Sequence, residues 1–293
     1  LPVFLASLAA TAVLCARPAY AQDAAEARPA TVPAEPSAPA AASPPDVVRF
    51  GGDYDYPPYE FIDKAGRPAG FHIDLMRAIG GLMGFRVEFR LGPWNEVKAD
   101  MDAGRIDVLA LMHFPERESE YLFATAHEML YHQVFVRRNE QTPLSVEDLT
   151  GREVIVQYSA YPGEYLRARI PGARVVLVKS EAEALKLLAS GRHDCAILTA
   201  AGGQQAMDRY GLSNVTTSGP PFLAAGYCLA VRRDGQRLHD RLDDAIVYLK
   251  ATGQYEDLRK RWLARTDASL ETLSIVIRIG AVALAVLVLL GIA

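Results

Sequence analysis

The sequence predicts an α/β fold of two similar lobes, because three features of residues 47–265 point the same way. Short apolar runs alternate with helical patterns, a helix-and-strand motif occurs twice, and two extended segments connect the halves. Alternation of strands and helices is typical of a mainly parallel sheet covered by helices. Two lobes joined by extended crossovers form a hinge with a cleft between them.

The alternation is clearest at the start of the globular part. Val47–Phe50 and Val87–Phe89 are apolar runs of strand length. Between them, apolar residues keep the three- and four-residue spacing of an amphipathic helix: Phe71, Leu75, Met76, Ile79, Leu82 and Met83. This segment therefore predicts a strand, a helix and a second strand.

The repeated motif covers EVKADMDAGRIDVLAL (96–111) and EALKLLASGRHDCAIL (183–198), which align without gaps. Each predicts a helix, a glycine stop, Arg-x-Asp and an apolar strand, since glycine is favoured at a left-handed helix end. Ser180 and Glu183 form a capping-box pattern at the start of the second helix.

The crossovers set the predicted lobe boundaries. Gln133–Arg137 runs out of the first half and Tyr227–Val231 runs back. We therefore assign the first lobe to about 47–136 and 228–265, and the second lobe to about 140–222.

The N-terminal residues predict export. An apolar core at 1–14 precedes the small-x-small pattern Ala19-Tyr20-Ala21, which is typical of a signal-peptidase site. Residues 1–21 are therefore a predicted signal peptide, which we expect to be truncated at its start because it lacks Met and a basic region. Residues 22–46 are rich in Ala and Pro and predict a disordered tether.

The C-terminal residues 273–293 predict a transmembrane helix. The 15 residues after Arg278 carry no charge, but at 1.5 Å per residue they reach roughly 22 Å, short of a ~30 Å hydrocarbon core. We expect the span to continue past Ala293. The alternative, a buried core helix, fits poorly because the run has no polar face.

Composition excludes some classes of function. The net charge is −4 and the chain has no basic stripe, which argues against nucleic-acid binding. Cys195 and Cys228 remain after the predicted signal peptide. They could pair in an oxidising periplasm, but we favour two small buried residues on separate strands.

Seven short motifs then carry a family resemblance. They are Gly51–Phe61 (GGDYDYPPYEF), Gly66–Leu75 (GRPAGFHIDL), Gly104–Asp107, Pro115–Arg117, Asp148–Gly151, Gly191–Asp194 and Gly253–Tyr255. In this order and spacing the chain resembles the periplasmic solute-binding proteins of family 3. That resemblance implies the type II periplasmic-binding-protein fold, or Venus flytrap, and a small polar solute as ligand. The opening motif, with Trp94, is most similar to copies fused to sensor kinases and diguanylate cyclases.

The resemblance also implies site residues. Tyr54, Tyr59 and Trp94 match positions that line the family's cleft, where aromatic faces supply apolar area and hold cations. The alternative is that they pack at the sheet edge. Arg117 matches a carboxylate clamp, since a guanidinium grips a carboxylate with two parallel hydrogen bonds. The alternative interpretation is that Arg117 is a surface residue between Glu116 and Glu118.

Four further residues stand where this chain departs from the family pattern. His113 lies in the segment where the family usually offers a hydroxyl before Pro-x-Arg. Tyr158 and Ser159 lie in the loop that replaces a Gly-Ser/Thr turn at a helix start, where backbone N–H groups bind anions. Thr199 falls where amino-acid binders place an aspartate. We therefore expect a carboxylate ligand and only weak binding of common L-α-amino acids.

No catalytic constellation is found in the sequence. His127-Glu128 and His132 miss a zinc-protease motif by one residue. We predict no enzymatic activity in this segment, no cofactor and no metal, and expect any kinase or cyclase domain to follow residue 293.

The predicted function is a periplasmic ligand sensor in a transmembrane signalling protein. It would be anchored in the bacterial inner membrane by the C-terminal helix, with a possible homodimer in the full-length protein. The alternative is the solute-binding component of an amino-acid-type ABC transporter, and an enzyme on the same fold is a third, weaker hypothesis.

Overall fold

The computed structural model describes residues 47–138, 143 and 145–263. The strands in these residues are β1 (Val47–Asp53), β2 (Asp55–Tyr56), β3 (Glu60–Ile62), β4 (Pro68–Ala69), β5 (Arg86–Gly92), β6 (Val108–Met112), β7 (Tyr121–Phe123), β8 (Glu128–Arg137), β9 (Glu153–Gln157), β10 (Arg174–Val178), β11 (Cys195–Thr199) and β12 (Val215–Arg232). The helices are α1 (Phe71–Met83), α2 (Trp94–Asp102), α3 (Tyr161–Arg169), α4 (Glu181–Ala189), α5 (Ala200–Tyr210), α6 (Gln236–Ala251) and α7, described over 254–263.

One sheet runs through both lobes in the order β10-β9-β11-β8-β12-β6-β1-β5, with β7 on β12. β1 pairs in parallel with β5 and β6, and β9 pairs in parallel with β10 and β11. The antiparallel strands β8 and β12 lie between these two parallel groups. They contain the two predicted crossovers and connect the lobes of this mixed α/β fold.

The predicted first helix is confirmed as α1. Phe71, Leu75, Met76 and Ile79 are buried in the core of the first lobe, whereas Leu82 is 40% exposed. Apolar residues on one helix face pack against the sheet because that burial stabilises both.

The repeated motif is confirmed as α2 followed by β6 and α4 followed by β11. Gly104 and Gly191 end the two helical segments with φ of 74° and 86°. Glycine adopts this left-handed backbone without the penalty that a Cβ brings.

The aspartate of each repeat has the same role in its lobe. The Asp107 carboxylate accepts a 2.8 Å hydrogen bond from the Arg49 backbone N–H. The Asp194 carboxylate accepts one of 2.7 Å from the Glu153 backbone N–H. Each aspartate thus ties the turn after its helix to the first strand of that lobe's parallel group.

The predicted capping box is also present. The Ser180 Oγ accepts a 3.1 Å hydrogen bond from the Glu183 N–H, and the Glu183 carboxylate accepts one of 2.8 Å from the Lys179 N–H. These bonds satisfy backbone donors at the start of α4.

Cys195 and Cys228 are buried free thiols on β11 and β12, as the favoured interpretation predicts. Within the described residues no helix has both the length and the apolar character to cross a membrane. The predicted signal peptide (1–21), tether (22–46) and transmembrane helix (273–293) lie outside those residues.

Candidate functional site

A cavity of about 80 Å³ lies between the lobes, beside the two crossover strands. Its wall is rich in polar side chains, which are Asp53, Tyr56, Glu60, Trp94, Arg117, His132, Gln157, Glu181, Thr199 and Tyr227. Buried polar groups that converge on one cavity are typical of a small-molecule site.

Strand ends place the central residues of the cavity. Asp53 ends β1 and Gln157 ends β9, while Thr199 ends β11. Arg117 follows β6 in a single 3-10 turn, Pro115–Arg117. The carboxyl ends of parallel strands meet at one edge of each lobe, so the four side chains face the same cavity.

The lobes contact each other directly around the cavity. The Tyr56 hydroxyl and the Thr199 Oγ1 are 3.0 Å apart. The Gln157 side-chain amide donates to the Asp53 carboxylate and also, at 3.0 Å, to the Lys179 carbonyl. These contacts hold the cleft closed in this structure.

Arg117 is the cation of the cavity. Its side chain is only 7% exposed, and its Nη2 lies 3.3 Å from the Glu164 Oε1 of the second lobe. The guanidinium stands 5.5 Å from the ring centre of Tyr161, which stacks on Phe114 at 3.6 Å. A buried guanidinium with one partly exposed partner has donors left for a carboxylate.

Glu181 supplies a carboxyl group beside Thr199. Its two oxygens accept hydrogen bonds from the Thr199 N–H at 2.8 Å and from the Thr199 Oγ1 at 2.9 Å. Burial, with a smaller effect from Asp53, raises the pKa of Glu181 to about 8. Gly202 makes this approach possible, since a Cβ there would collide with the Glu181 carboxylate.

An acid therefore lies beside the predicted Thr199 hydroxyl in this part of the cleft. The acid comes from the first residue of α4 instead of the end of β11. Asp53 is a second acid in the same cavity, and burial raises its pKa to about 7. With Glu60, three carboxyl groups and one guanidinium thus line one small space.

A buried chain of hydrogen bonds supports the cavity from the first lobe. The Glu60 Oε2 lies 2.5 Å from the His72 Nδ1, and the His72 Nε2 lies 3.0 Å from the His127 Nε2. Burial raises the pKa of Glu60 well above its usual value and lowers that of His72 to about 3. Both shifts favour the uncharged form of each group, and the contact fixes the ring of His72.

Three of the eight predicted site residues line the cavity: Trp94, Arg117 and Thr199. The Trp94 indole N–H also donates to the Ser159 carbonyl at 3.4 Å, across the cleft. Ser159 and Tyr158 are exposed and line a neighbouring pocket of about 280 Å³. Direct contact between a ligand and any of these five residues remains a prediction.

The other three predicted residues lie outside the cavity wall. Tyr59 is buried beneath it, because its ring stacks between Tyr56 and His72. His113 points to solvent, where its Nε2 lies 2.8 Å from the Glu118 Oε1. Tyr54 extends the backbone pairing near Gly92 and is not part of the wall.

The acidic and hinge residues of the wall were not among the eight predicted site residues. Asp53 and Glu60 lie inside the matched opening motif, so that motif could have identified them. Glu181 directly follows Ser180, which caps α4, and so lies at the edge of the second lobe's sheet. The sequence around His132 gave no indication of a site residue, because only the pairing of β8 with its neighbouring strands brings His132 to the cavity.

A larger groove of about 1740 Å³ lies on the other face of the hinge. Met129 and Tyr131 of β8 line it, while His132 faces the cavity, as expected for alternating side chains on a strand. Some of its charged residues, such as Lys64 and Asp208, are exposed, whereas Glu128 is partly buried and already contacts Arg259. The smaller cavity, with its buried charges, is therefore the stronger candidate site.

The solved structures and curated proteins that this chain matches agree with the geometry. A histidine kinase sensor domain described as similar to periplasmic binding proteins is 38% identical, with a TM-score of 0.71, and the match covers 74% of this chain and 96% of that one. An ancestral arginine-binding protein bound to arginine is 26% identical, with a TM-score of 0.70, and the match covers 75% of this chain and 99% of that one.

A curated relative from Haemophilus influenzae, named as a probable amino-acid ABC transporter-binding protein, is 30% identical over 149 residues. That match spans 50% of this chain and 57% of the relative. The profile of the bacterial extracellular solute-binding proteins, family 3, matches residues 48–265. Since this is most of the chain, the protein belongs to the family 3 bacterial extracellular solute-binding proteins.

Proposed function

We propose that this domain binds a small amino acid in the cavity between its lobes, on the periplasmic side of the membrane. The observation that carries the proposal is the charge pattern of that cavity. One buried guanidinium, Arg117, and three buried carboxyl groups, Asp53, Glu60 and Glu181, line the same 80 Å³. Of the three acids, Glu60 already contacts His72, which leaves Asp53 and Glu181 for a ligand.

The charge pattern matches the two ends of a zwitterion. Arg117 offers paired N–H donors to an α-carboxylate. Glu181 and Asp53 offer acceptors to an α-ammonium, which would favour their ionised forms and so lower both raised pKa values. The two named binders among the similar proteins, one for arginine and one for amino acids, support this ligand class.

The closed cavity limits the size of the ligand. Its volume of about 80 Å³ is smaller than the roughly 150 Å³ of an engineered protein cavity that binds benzene. A small amino acid requires little further separation of the lobes, whereas arginine requires the lobes to stand wider apart.

Ligand binding would stabilise the closed cleft. A ligand that contacts both Arg117 of one lobe and Glu181 of the other makes both sets of contacts only when the lobes are closed. It shifts the open–closed equilibrium by its difference in affinity for the two states.

We further propose that the domain is the sensor of a transmembrane signalling protein. The 38% identical sensor domain of a histidine kinase supports this. So does the packing of α7, where the Trp262 indole N–H donates to Asp74 of α1 at 2.9 Å. Closure would then reach the predicted membrane segment through α7. A binding component of an ABC transporter is the second candidate, favoured by the Haemophilus relative.

A calorimetric panel of the twenty common L-amino acids with the 293-residue chain tests the ligand class. We expect at least one to bind with a micromolar or tighter Kd, about −8 kcal/mol or better. A panel in which none binds, while the chain is folded by circular dichroism, would refute amino-acid binding.

An insertion in the full-length protein separates the sensor from the transporter component. A flexible Gly/Ser insert in Thr266-Asp267-Ala268-Ser269 should leave ligand affinity unchanged but uncouple the ligand from the cytoplasmic output. Ligand-dependent output that survives the insert would contradict signalling through α7.

A further inference from the structure

His132 occupies the floor of the cavity, at the centre of the hinge. It lies on β8, is 4% exposed and belongs to the cavity wall. Its Nδ1 is buried and has no hydrogen-bond partner within the described part of the chain. Native proteins pair nearly all buried polar atoms, so an unpartnered nitrogen in a binding cavity calls for an explanation.

The other unpartnered atoms do not share this position. Within the described residues, the buried side-chain atoms without a partner are His127 Nδ1, His132 Nδ1 and Arg241 Nη1. Of these three residues only His132 lines the cavity. His127 ends the buried chain from Glu60 and faces the groove on the other side of the hinge.

Strand pairing places the His132 ring between the binding walls. His132 is the register partner of Thr199 on β11 and of Phe222 on β12. Directly opposed residues of antiparallel strands project from the same face, so the ring stands beside the Thr199 side chain. From the first lobe, the charge of Arg117 is close enough to lower the pKa of His132 further.

The ring is a neutral hydrogen-bonding group. Burial is the main cause that lowers the pKa of His132 to about 4, and the Leu223 carbonyl only partly opposes this. A neutral imidazole has one donor nitrogen and one acceptor nitrogen. It can therefore hydrogen-bond polar groups of a ligand without adding charge to a cavity that is already lined by Arg117 and three carboxyl groups.

We propose that His132 is a specificity-determining residue, which hydrogen-bonds a polar side chain of the bound amino acid through Nδ1. This inference rests on the proposed binding of an amino acid in the cavity. With the carboxylate at Arg117 and the ammonium at Glu181, the floor between them receives the side chain. The protein therefore selects amino acids with a short polar side chain over apolar ones of the same size.

Pairs of amino acids of similar shape test this directly in the 293-residue chain. We use L-serine with L-alanine and L-threonine with L-valine, and measure each affinity by calorimetry. We expect the polar member of at least one pair to bind at least tenfold more tightly, since a site built to bond a polar group rejects an analogue that lacks it.

Three variants then assign the preference to His132. His132→Leu should reduce the polar-to-apolar ratio of that pair to within threefold of one. His132→Asn places a polar atom near the position of Nδ1 and should keep at least one third of the wild-type ratio. His239→Leu, on α6 and away from the cavity, is the matched control and should leave the ratio unchanged.

The outcomes separate this inference from the proposed function. Amino-acid binding with no preference for a polar member, or with a preference that His132→Leu leaves intact, would overturn the role of His132 alone. Loss of the preference in both His132→Leu and His132→Asn would mean that the ring only shapes the cavity, which also overturns it. If no amino acid binds the folded wild-type chain, both proposals fall.

Discussion

The two lobes use the same motif of helix, glycine turn and strand, but each continues differently after its strand. In the first lobe, β6 leads into a short extended segment and a 3-10 turn that ends at Arg117. In the second, β11 runs directly into α5, and its last residue, Thr199, caps that helix by accepting from the Gly202 N–H at 3.2 Å. Equivalent strand ends thus give a cation in one lobe and a helix N-terminus in the other.

The difference explains why Glu181 lies where it does. It is the first residue of α4 and bonds the Thr199 backbone at the start of α5, so its carboxyl group lies at two helix N-termini. Such ends favour negative charge because their N–H groups and dipoles point toward it. Burial opposes that effect and raises the pKa of Glu181, so a bound cation would decide its charge state.

Removing the cation of the first lobe should have the largest effect. Arg117→Ala should weaken binding of the tightest amino acid by about 2–4 kcal/mol, because charge-assisted bonds are lost and the ligand carboxylate is left buried without a partner. Calorimetry gives the change. Arg105→Ala, an exposed arginine of the same lobe, is the control. Unchanged affinity in a folded Arg117→Ala variant would remove Arg117 from the site.

Removing the acid of the second lobe should have a smaller effect. Glu181→Gln keeps the shape of the side chain but loses its charge, and should weaken the same ligand by about 1.5–3 kcal/mol. Glu183→Gln on the same helix should leave affinity unchanged, since the Glu183 carboxylate bonds the backbone of Lys179. An equal loss in both variants would show that Glu181 acts only through the stability of α4.

Per pH unit and per proton, the pH dependence of affinity should be the smallest of the three effects. Asp53 and Glu181 have pKa values raised to about 7 and about 8, and a bound ammonium favours their ionised forms. Binding near pH 6 should therefore release protons, and affinity should fall as pH drops from 8 to 6. For each proton released, the binding free energy can change by at most about 1.4 kcal/mol per pH unit.

Stability of the unliganded chain should change in the opposite direction. A carboxyl group with a raised pKa stabilises the fold while protonated, and this contribution is lost as pH rises through about 7 to 8. Calorimetry in buffers of different ionisation enthalpy measures the protons released, and thermal unfolding measures stability. In Glu181→Gln, proton release on binding and thermal stability should both lose the part of their pH dependence that lies near pH 8. A flat pH profile from 6 to 8 would contradict a role for these acids.

The sequence allowed the scaffold to be predicted better than the site. Periodicity and glycine placement identified α1, the repeated motif and the capping box, because these depend on residues close together in the chain. The family motif allowed Arg117 to be predicted as a cleft residue, and it lies in the cavity wall. Glu181 and His132 could not be assigned in that way, because Glu181 meets Thr199 across 18 residues and His132 reaches the cavity only through the pairing of β8 with β11.

The misplaced residues have a related cause. Tyr59 lies in the motif that lines the family's cleft, yet here its ring stacks beneath the cavity between Tyr56 and His72. His113 follows β6 directly, but the next turn carries Arg117 inward and leaves His113 exposed beside Glu118. Side-chain direction at a strand end depends on the turn that follows, which a motif match does not fix.

One cavity is proposed to recognise both charged ends of an amino acid, the carboxylate with Arg117 of the first lobe and the ammonium with Glu181 of the second lobe and Asp53 of the first. The most direct test compares the tightest-binding L-amino acid with two analogues, one lacking the amino group and one lacking the carboxylate, by calorimetry on the 293-residue chain. We expect both analogues to bind at least tenfold more weakly. We also expect Glu181→Gln to weaken binding of the amino acid far more than binding of the analogue without an amino group. Equal affinity for the amino acid and for the analogue that keeps only the carboxylate would contradict recognition of both ends.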